Sequence, residues 1–172
     1  LRLSLRRQRQ MCIRDRYIKL SVIQKQGVFI MANSIYSTTM ISNGGRDGRV
    51  FSPDNTFVQN LATPKEMGGQ GGNDTNPEQL FAAGYSACFN SALSLILSQN
   101  KISDANPEVE ITIELLKDDT DNGFKLGADI KVTLENMSQQ DAEKFVEQAH
   151  QFCPYSKATR GNIDVQIDVT AQ

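Results

Sequence analysis

Beyond Glu108 the chain alternates between apolar and polar positions. Val109, Ile111, Ile113 and Leu115 are each separated by a residue of other character, and Phe124, Leu126, Ala128, Ile130, Val132 and Leu134 repeat the period of two. Such a period lines one face of a strand. Asp121-Asn122-Gly123 between the two runs supplies the turn of a hairpin. Ile163, Val165, Ile167 and Val169 predict a last half-buried strand. Between hairpin and last strand the period becomes helical. Ser138, with Asp141 three residues later, caps a helix that buries Ala142, Phe145, Val146, Ala149 and Phe152, and Pro154 ends or bends it.

A second helix is announced by Asn76-Pro77. Thr75 or Asn76 can cap it, Pro77 suits its first turn, and Glu78 completes a Thr-x-x-Glu capping box. No charged residue occurs from Gln79 to Asn100. A helix without a charged face is either central to a core or membrane-spanning. Ser86, Asn90, Ser91, Ser94 and Ser98 break the continuous apolar run that a span requires, so a buried central helix is expected. Gly84, Ala87, Ser91, Ser94 and Ser98 form a stripe of small residues, which suits close packing against either an internal element or a second subunit.

Upstream signals are shorter. Ile35 to Met40 has weak strand character, and Arg49 to Phe51 and Thr56 to Leu61 read as strands around the turn cluster Ser52-Pro53-Asp54-Asn55. The four glycines between Gly68 and Asn73 make a loop. Strands, helix, hairpin, helix and strand in that order define an α+β chain.

Its 172 residues are of one-domain size. The overall charge of −2 conceals two unlike parts: residues 1–30 carry six Arg and two Lys against one Asp, whereas residues 31–172 carry ten basic and nineteen acidic side chains. The acidic part lacks the clustered Lys and Arg that nucleic acid requires. The basic part has neither a clean apolar region nor a small-residue cleavage site, and Met31 is an alternative start. We therefore expect residues 1–30 to be a non-native or disordered extension, with Cys12 outside the chemistry, and residues 31–172 to form the domain. Three cysteines do not make a disulfide-rich secreted scaffold, and the expected compartment is the reducing cytoplasm.

The remaining cysteines carry the candidate chemistry. Cys88 lies inside the uncharged helix, where a cysteine commonly packs as a small hydrophobe with a raised pKa and no reactivity. Reactivity there needs a cation from elsewhere. Arg46, in Gly44-Gly45-Arg46-Asp47-Gly48, is the candidate, since a guanidinium stays charged when desolvated and its planar fork suits a carboxylate. Glu78 is the matching carboxylate, though an acid in a first helical turn also serves the helix dipole. Ten residues of helix rise ~15 Å, so Glu78 cannot touch the thiol of its own helix. Cys153 stands between Phe152 and Pro154 and could equally be packing. His150, the single histidine, makes with Cys153 and Cys88 three conceivable zinc ligands; a helix-surface or dipole-compensating role is the simpler reading.

Three segments in fixed order, the glycine loop around Arg46, Thr75 to Phe89 (Thr-Asn-Pro-Glu-Gln-Leu-Phe-Ala-Ala-Gly-Tyr-Ser-Ala-Cys-Phe), and Cys153 to Ile163 (Cys-Pro-Tyr-Ser-Lys-Ala-Thr-Arg-Gly-Asn-Ile), resemble the organic hydroperoxide resistance branch of the Ohr/OsmC family. The resemblance covers roughly Ser34 to the C-terminus. Cys-Pro-Tyr-Ser is also similar to the monothiol glutaredoxin motif, but that motif should open a fold near its N-terminus and here only about twenty residues follow. The resemblance implies an Ohr/OsmC α+β fold with antiparallel sheets, a buried central helix and an interwoven homodimer whose active sites lie at the subunit interface. It further implies a peroxidatic Cys88, a resolving Cys153, a thiolate-stabilising Arg46 and an orienting Glu78. Organic hydroperoxides are the implied substrates, dihydrolipoamide or lipoylated proteins the reductants, and no cofactor, metal, nucleic acid or membrane is implied. The apolar Phe81, Phe89 and Leu93 near Cys88 favour a bulky peroxide. The alternative is a thiol redox-sensing or small-ligand-binding module without turnover.

Overall fold

The computed structural model describes residues 33–172. Residues 1–30, with Cys12, lie outside them. Two units are distinguished, Leu1–Ser37 and Thr38–Gln172. In the first, the Ser34 hydroxyl donates to the Tyr36 carbonyl at 3.1 Å. Everything below belongs to the second.

That unit opens with three short antiparallel strands, β1 (Ile41–Asn43), β2 (Arg49–Phe51) and β3 (Val58–Asn60), in the order β1-β2-β3. The strand expected at Ile35 to Met40 does not form; the first strand begins at Ile41. Every residue of β1 and β3 is exposed. This small sheet is tied to the rest through Leu61, which is buried and bridges Thr75 just ahead of the long helix.

Helix α1 (Pro77–Gln99) follows, then the hairpin β4 (Glu108–Asp118) and β5 (Gly123–Leu134), helix α2 (Gln139–Phe152), the short helix α3 (Pro154–Thr159) and β6 (Asp164–Ala171). The hairpin runs in register from Glu108↔Thr133 to Asp118↔Gly123, and its turn falls at the predicted Asp-Asn-Gly, with Asn122 at φ 61°. The expectation of antiparallel sheets holds for β1–β3 and for β4–β5, but not for β6. That strand pairs with β5 in parallel, from Gly127↔Asp164 to Leu134↔Ala171. The reason is the connection: α2 and α3 form a helical crossover, which returns the chain in the same direction, whereas a short turn would reverse it.

Helices α1 and α2 cover one face of the β4-β5-β6 sheet. Tyr85, Phe89, Ala92, Leu93 and Leu97 of α1 meet Ile130, Val132 and Leu134 of β5 and Ala142, Phe145, Val146 and Ala149 of α2 in one core, with Cys153 wholly buried among them. Alternate residues of β4 and β6 close its sides. One expectation is corrected here. Phe152 is 49% exposed rather than buried, with the Lys157 ammonium 5.6 Å above its ring. The helix ends at that residue, so Phe152 falls beyond the stripe that faces the sheet.

The central helix is buried along one face only. By length and composition α1 could cross a membrane; in this fold its apolar face is taken up by the core. Ala83, Ala87, Ser91, Ser94, Leu95 and Ser98 on the other face are exposed. Both helices are capped: Asn76 Oδ1 accepts from the Gln79 amide at 2.8 Å, and Ser138 Oγ accepts from the Asp141 amide at 3.2 Å.

Ile130 is the test of this core, lying fully buried on the central strand under both helices. Ile130→Ala is expected to lower unfolding free energy by about 2–5 kcal/mol, from lost transfer energy and an unfilled cavity. Urea denaturation followed by circular dichroism measures it, and a loss below about 1 kcal/mol would place Ile130 outside the packed core.

Candidate active site

The site is assembled around an elbow in the chain. At Cys153 the backbone leaves the α-helical region (φ −58°, ψ 126°), because the residue before a proline is pushed toward extended conformations. Cys153 therefore ends α2 and starts α3 at once, and Pro154 occupies the first position of α3, where no amide donor is missed. The elbow turns the Cys153 side chain into the core against α1. Its Sγ donates to Cys88 Sγ at 3.4 Å across 65 residues of chain. Cys88 is half-buried and both thiols are free.

Around the sulfurs α1 and α3 interlock. The Tyr155 ring stacks on Tyr85 at 5.6 Å and packs on Phe81 at 5.9 Å. Its hydroxyl lies over Gly84, where an added Cβ would come within 2.9 Å of it. Tyr85 is wholly buried, its hydroxyl 3.0 Å from Ser156 Oγ and 3.3 Å from Thr159 Oγ1. Of the apolar residues expected to border Cys88, Phe89 and Leu93 are fully buried core residues, while Phe81 is half-buried beside Tyr155. Sequence reasoning passed over Tyr85, Tyr155, Ser156 and Thr159. Spacing carried a signal, since Tyr85 precedes Cys88 by three residues and Ser156 follows Cys153 by three.

Burial pushes the Cys88 thiol above its ordinary value. The nearby Tyr155 backbone pulls the other way, and the neighbouring Cys153 thiol adds to the rise, since two sulfurs this close resist ionising together.

Arg46 and Glu78 form the second pair. Gly44, at φ 83°, lets the chain turn from β1 into a 3-10 turn at Gly45–Asp47, and at Gly48 a Cβ would collide with the Asn43 carbonyl. The Asp47 carboxylate accepts from the Thr63 amide at 2.9 Å and steadies the loop. Arg46 then meets Glu78 with both arms of its fork, Nη1 to Oε2 at 2.8 Å and Nη2 to Oε1 at 2.6 Å. The pair closes within one chain and needs no second subunit to form. Nor does Glu78 take part in a capping box: Asn76 is the cap, and Gln79 accepts from the Thr75 hydroxyl. The Arg46 guanidinium holds the Glu78 carboxyl below its ordinary range, against the opposing effect of burial.

The structure thus brings together Cys88 with Cys153 and Arg46 with Glu78. Among the described residues no hydrogen bond joins one pair to the other, and Arg46 is not among the groups that shift the Cys88 thiol. His150 is not the surface residue expected. Its ring packs on Phe89 and its Nδ1 is buried without a hydrogen-bond partner. Burial first, and then Arg160, hold its pKa down, so it is neutral near pH 7 and does not compensate the helix dipole. Among the described residues no three His, Cys, Asp or Glu side chains gather as metal ligands, which removes the geometric basis for a zinc site at His150, Cys153 and Cys88.

Two free thiols in contact on this α+β scaffold set the context for what the chain is similar to. A family model described as OsmC-like protein matches residues 69–168. The organic hydroperoxide resistance protein-like 2 of Staphylococcus epidermidis is 99% identical over 142 residues, covering 83% of this chain and all of that protein. Among solved structures, the organic hydroperoxide resistance protein OhrB of Bacillus subtilis is 38% identical, with a TM-score of 0.72 over 80% of this chain and 100% of its own. An organic hydroperoxide resistance protein from Legionella pneumophila is 41% identical, with a TM-score of 0.76 over 80% of this chain and 99% of its own. The chain belongs to the OsmC-like family, in its organic hydroperoxide resistance branch.

The ion pair generates a pH prediction. A carboxyl whose folded pKa is depressed contributes stability that is complete above its unfolded value, about 4.3, and is lost as pH falls through the folded value. Glu78→Gln should therefore be less stable than the parent chain near neutral pH, and the gap should close in acid below about pH 4. Urea midpoints measured across that range check it; a gap independent of pH would mean the pair contributes nothing as an ion pair.

Proposed function

We propose that this protein reduces organic hydroperoxides to alcohols through a Cys88 sulfenic acid and a Cys88–Cys153 disulfide. The observation that carries the reading is the 3.4 Å contact between two free sulfurs, each inside a segment that resembles an Ohr motif. The names of the relatives, which refer to organic hydroperoxide resistance, support it.

The chemistry needs only the chain's own residues and a dithiol. The Cys88 thiolate attacks the distal peroxide oxygen, the O–O bond breaks, and the alkoxide leaves with a proton as alcohol. Cys88 is then a sulfenic acid. Cys153 sulfur attacks it, the S–S bond forms and water departs, which protects Cys88 from irreversible oxidation. A dithiol, dihydrolipoamide or a lipoyl group on a protein, returns both sulfurs to thiols. No metal or cofactor is required by this sequence.

The first step needs a thiolate, and burial opposes one at Cys88. Arg46 is the cation we assign to offset that burial, and Glu78, bound to it through both oxygens, is its orienting partner. Homodimerisation is part of the reading. It is supported by the uncharged, exposed face of α1 and by the exposed Met40, Ile41, Phe57 and Val58 on and beside the small sheet. A reducing cytoplasm is the compartment that suits free thiols cycled by a dithiol.

Two experiments test the proposal. In the first, purified protein is given an organic hydroperoxide and either dihydrolipoamide or thioredoxin. Turnover should appear with the former, vanish in Cys88→Ser, and fall in Cys153→Ser to about one equivalent with accumulating sulfenic acid. Full turnover by Cys88→Ser, or one-equivalent consumption by the intact chain with every dithiol, would favour a redox-sensing module instead. In the second, thiolate absorbance is followed against pH. Arg46→Ala should raise the Cys88 pKa and slow peroxide consumption while the chain still folds; an unaltered pKa and rate would assign the activation to another group.

A further inference from the structure

The buried hydroxyl cluster is not used by the chemistry described above, yet it shares a geometry with the sulfur pair. Tyr85 and Cys88 are three residues apart on α1, on the face turned toward the elbow. Ser156 and Cys153 are three residues apart on the elbow side. Tyr85 bonds Ser156 at 3.0 Å and Cys153 bonds Cys88 at 3.4 Å. Along α1 the contacts ascend from Tyr85 to Cys88, while along the elbow they descend from Ser156 to Cys153. These are two rungs of one ladder, about one helical turn apart. The Tyr155 ring, stacked on Tyr85 at 5.6 Å, belongs to the same contact between α1 and the elbow.

Each of the three hydroxyl residues is buried: Tyr85 and Ser156 completely and Thr159 at 3% exposure. With water excluded, the Tyr85 hydroxyl is satisfied by Ser156 and Thr159, and only at one placement of α3 along α1. Apolar residues of the same size would fill this space, but they would tolerate sliding. A fully satisfied buried polar network fixes a single register.

We propose that Tyr85 is a positioning residue for disulfide formation: its hydroxyl, held by Ser156 and Thr159, locks the α3 end of the elbow on α1 so that Cys153 Sγ stays within bonding reach of Cys88 Sγ. The proposal rests on the peroxidase reading and adds a residue to its second step. In that step the Cys153 sulfur attacks the Cys88 sulfenic sulfur, the S–S bond forms, the S–O bond breaks, and the hydroxyl leaves with the Cys153 proton as water. The hydroperoxide is the sole oxidant. The sulfurs must close from 3.4 Å to a bond of about 2.05 Å, a small movement that succeeds only if the starting separation is kept. Peroxide attack at Cys88 does not depend on where Cys153 sits, so the two steps should separate.

The experiment is single turnover of the full chain with an organic hydroperoxide. Peroxide loss reports the first step, and the decay of sulfenic acid trapped by dimedone at timed intervals reports the second. In Tyr85→Phe the first rate should stay within about twofold of the parent while the second falls about tenfold, the scale of one lost buried hydrogen bond. Ser156→Ala, a smaller change on the other side of the rung, should do the same, and Tyr85→Phe with Ser156→Ala should be no slower than the worse single variant. Disulfide formation at the parent rate in both single variants would overturn the proposal. So would equal slowing of the two steps, which is what a general loosening of the fold produces. If the parent chain itself forms no disulfide, the peroxidase reading fails and this proposal falls with it.

Discussion

Two sulfur atoms far apart in sequence meet only if the helices that carry them are held at one spacing, and here that spacing is set by the fit of α1 against the elbow at Cys153. The elbow exists because a proline follows the cysteine: α2 stops, the backbone extends for one residue, and α3 starts in a new direction. The surrounding core then has one task. Ile130, Val132 and Leu134 beneath α1, with Ala142, Phe145, Val146 and Ala149 of α2 beside it, press both helices on the same sheet face, and Phe89 and Leu93 complete the contact. The helical crossover that makes β6 parallel to β5 is the same segment that carries the elbow. Strand direction and sulfur placement are two results of one connection.

Burial that brings the thiols together also works against ionising Cys88. Cys88 is pushed toward its neutral form by the environment that fixes its position, and the nearby Tyr155 backbone offsets this only in part. The charged pair at the start of α1 has the opposite character. Arg46 and Glu78 are joined by two short hydrogen bonds and are partly exposed, Glu78 in the first turn of α1 and Arg46 on a loop that only glycine permits at Gly44 and Gly48. The scaffold thus favours the neutral form of the half-buried Cys88 thiol and holds the Arg46 guanidinium on a carboxylate.

Much of this was legible in the residues. Strict alternation gave the β4–β5 hairpin and β6, and the Ser138 and Asn76 signals gave both long helices, because each element has one buried face and a distinct period. Three features were not. The direction of β6 depends on how the intervening helices cross, which a period of two does not record. Phe152 looked like core by spacing, yet it falls where the helix ends and the stripe no longer faces the sheet. The capping box at Thr75 and Glu78 was a sound local reading that lost to tertiary geometry, because Glu78 is bound by an arginine 32 residues away. For the candidate site, motif resemblance singled out four residues, which the structure pairs as Cys88 with Cys153 and Arg46 with Glu78. The contacts of Tyr85 and Tyr155 with the elbow stayed hidden, since an aromatic residue near a cysteine reads as ordinary packing until its partners are known.

The 65-residue separation of the two cysteines has a thermodynamic side. A bond between them would enclose the β4–β5 hairpin and all of α2 in a covalent ring, leaving β1–β3 and β6 outside it. Closing a ring of that size removes unfolded-chain entropy worth about 4 kcal/mol in the loop-closure description. The oxidised chain would therefore resist unfolding more strongly than the reduced one. A protein that meets its oxidant under stress would be at its most durable in the state the oxidant creates, and would return to a looser ground state on reduction.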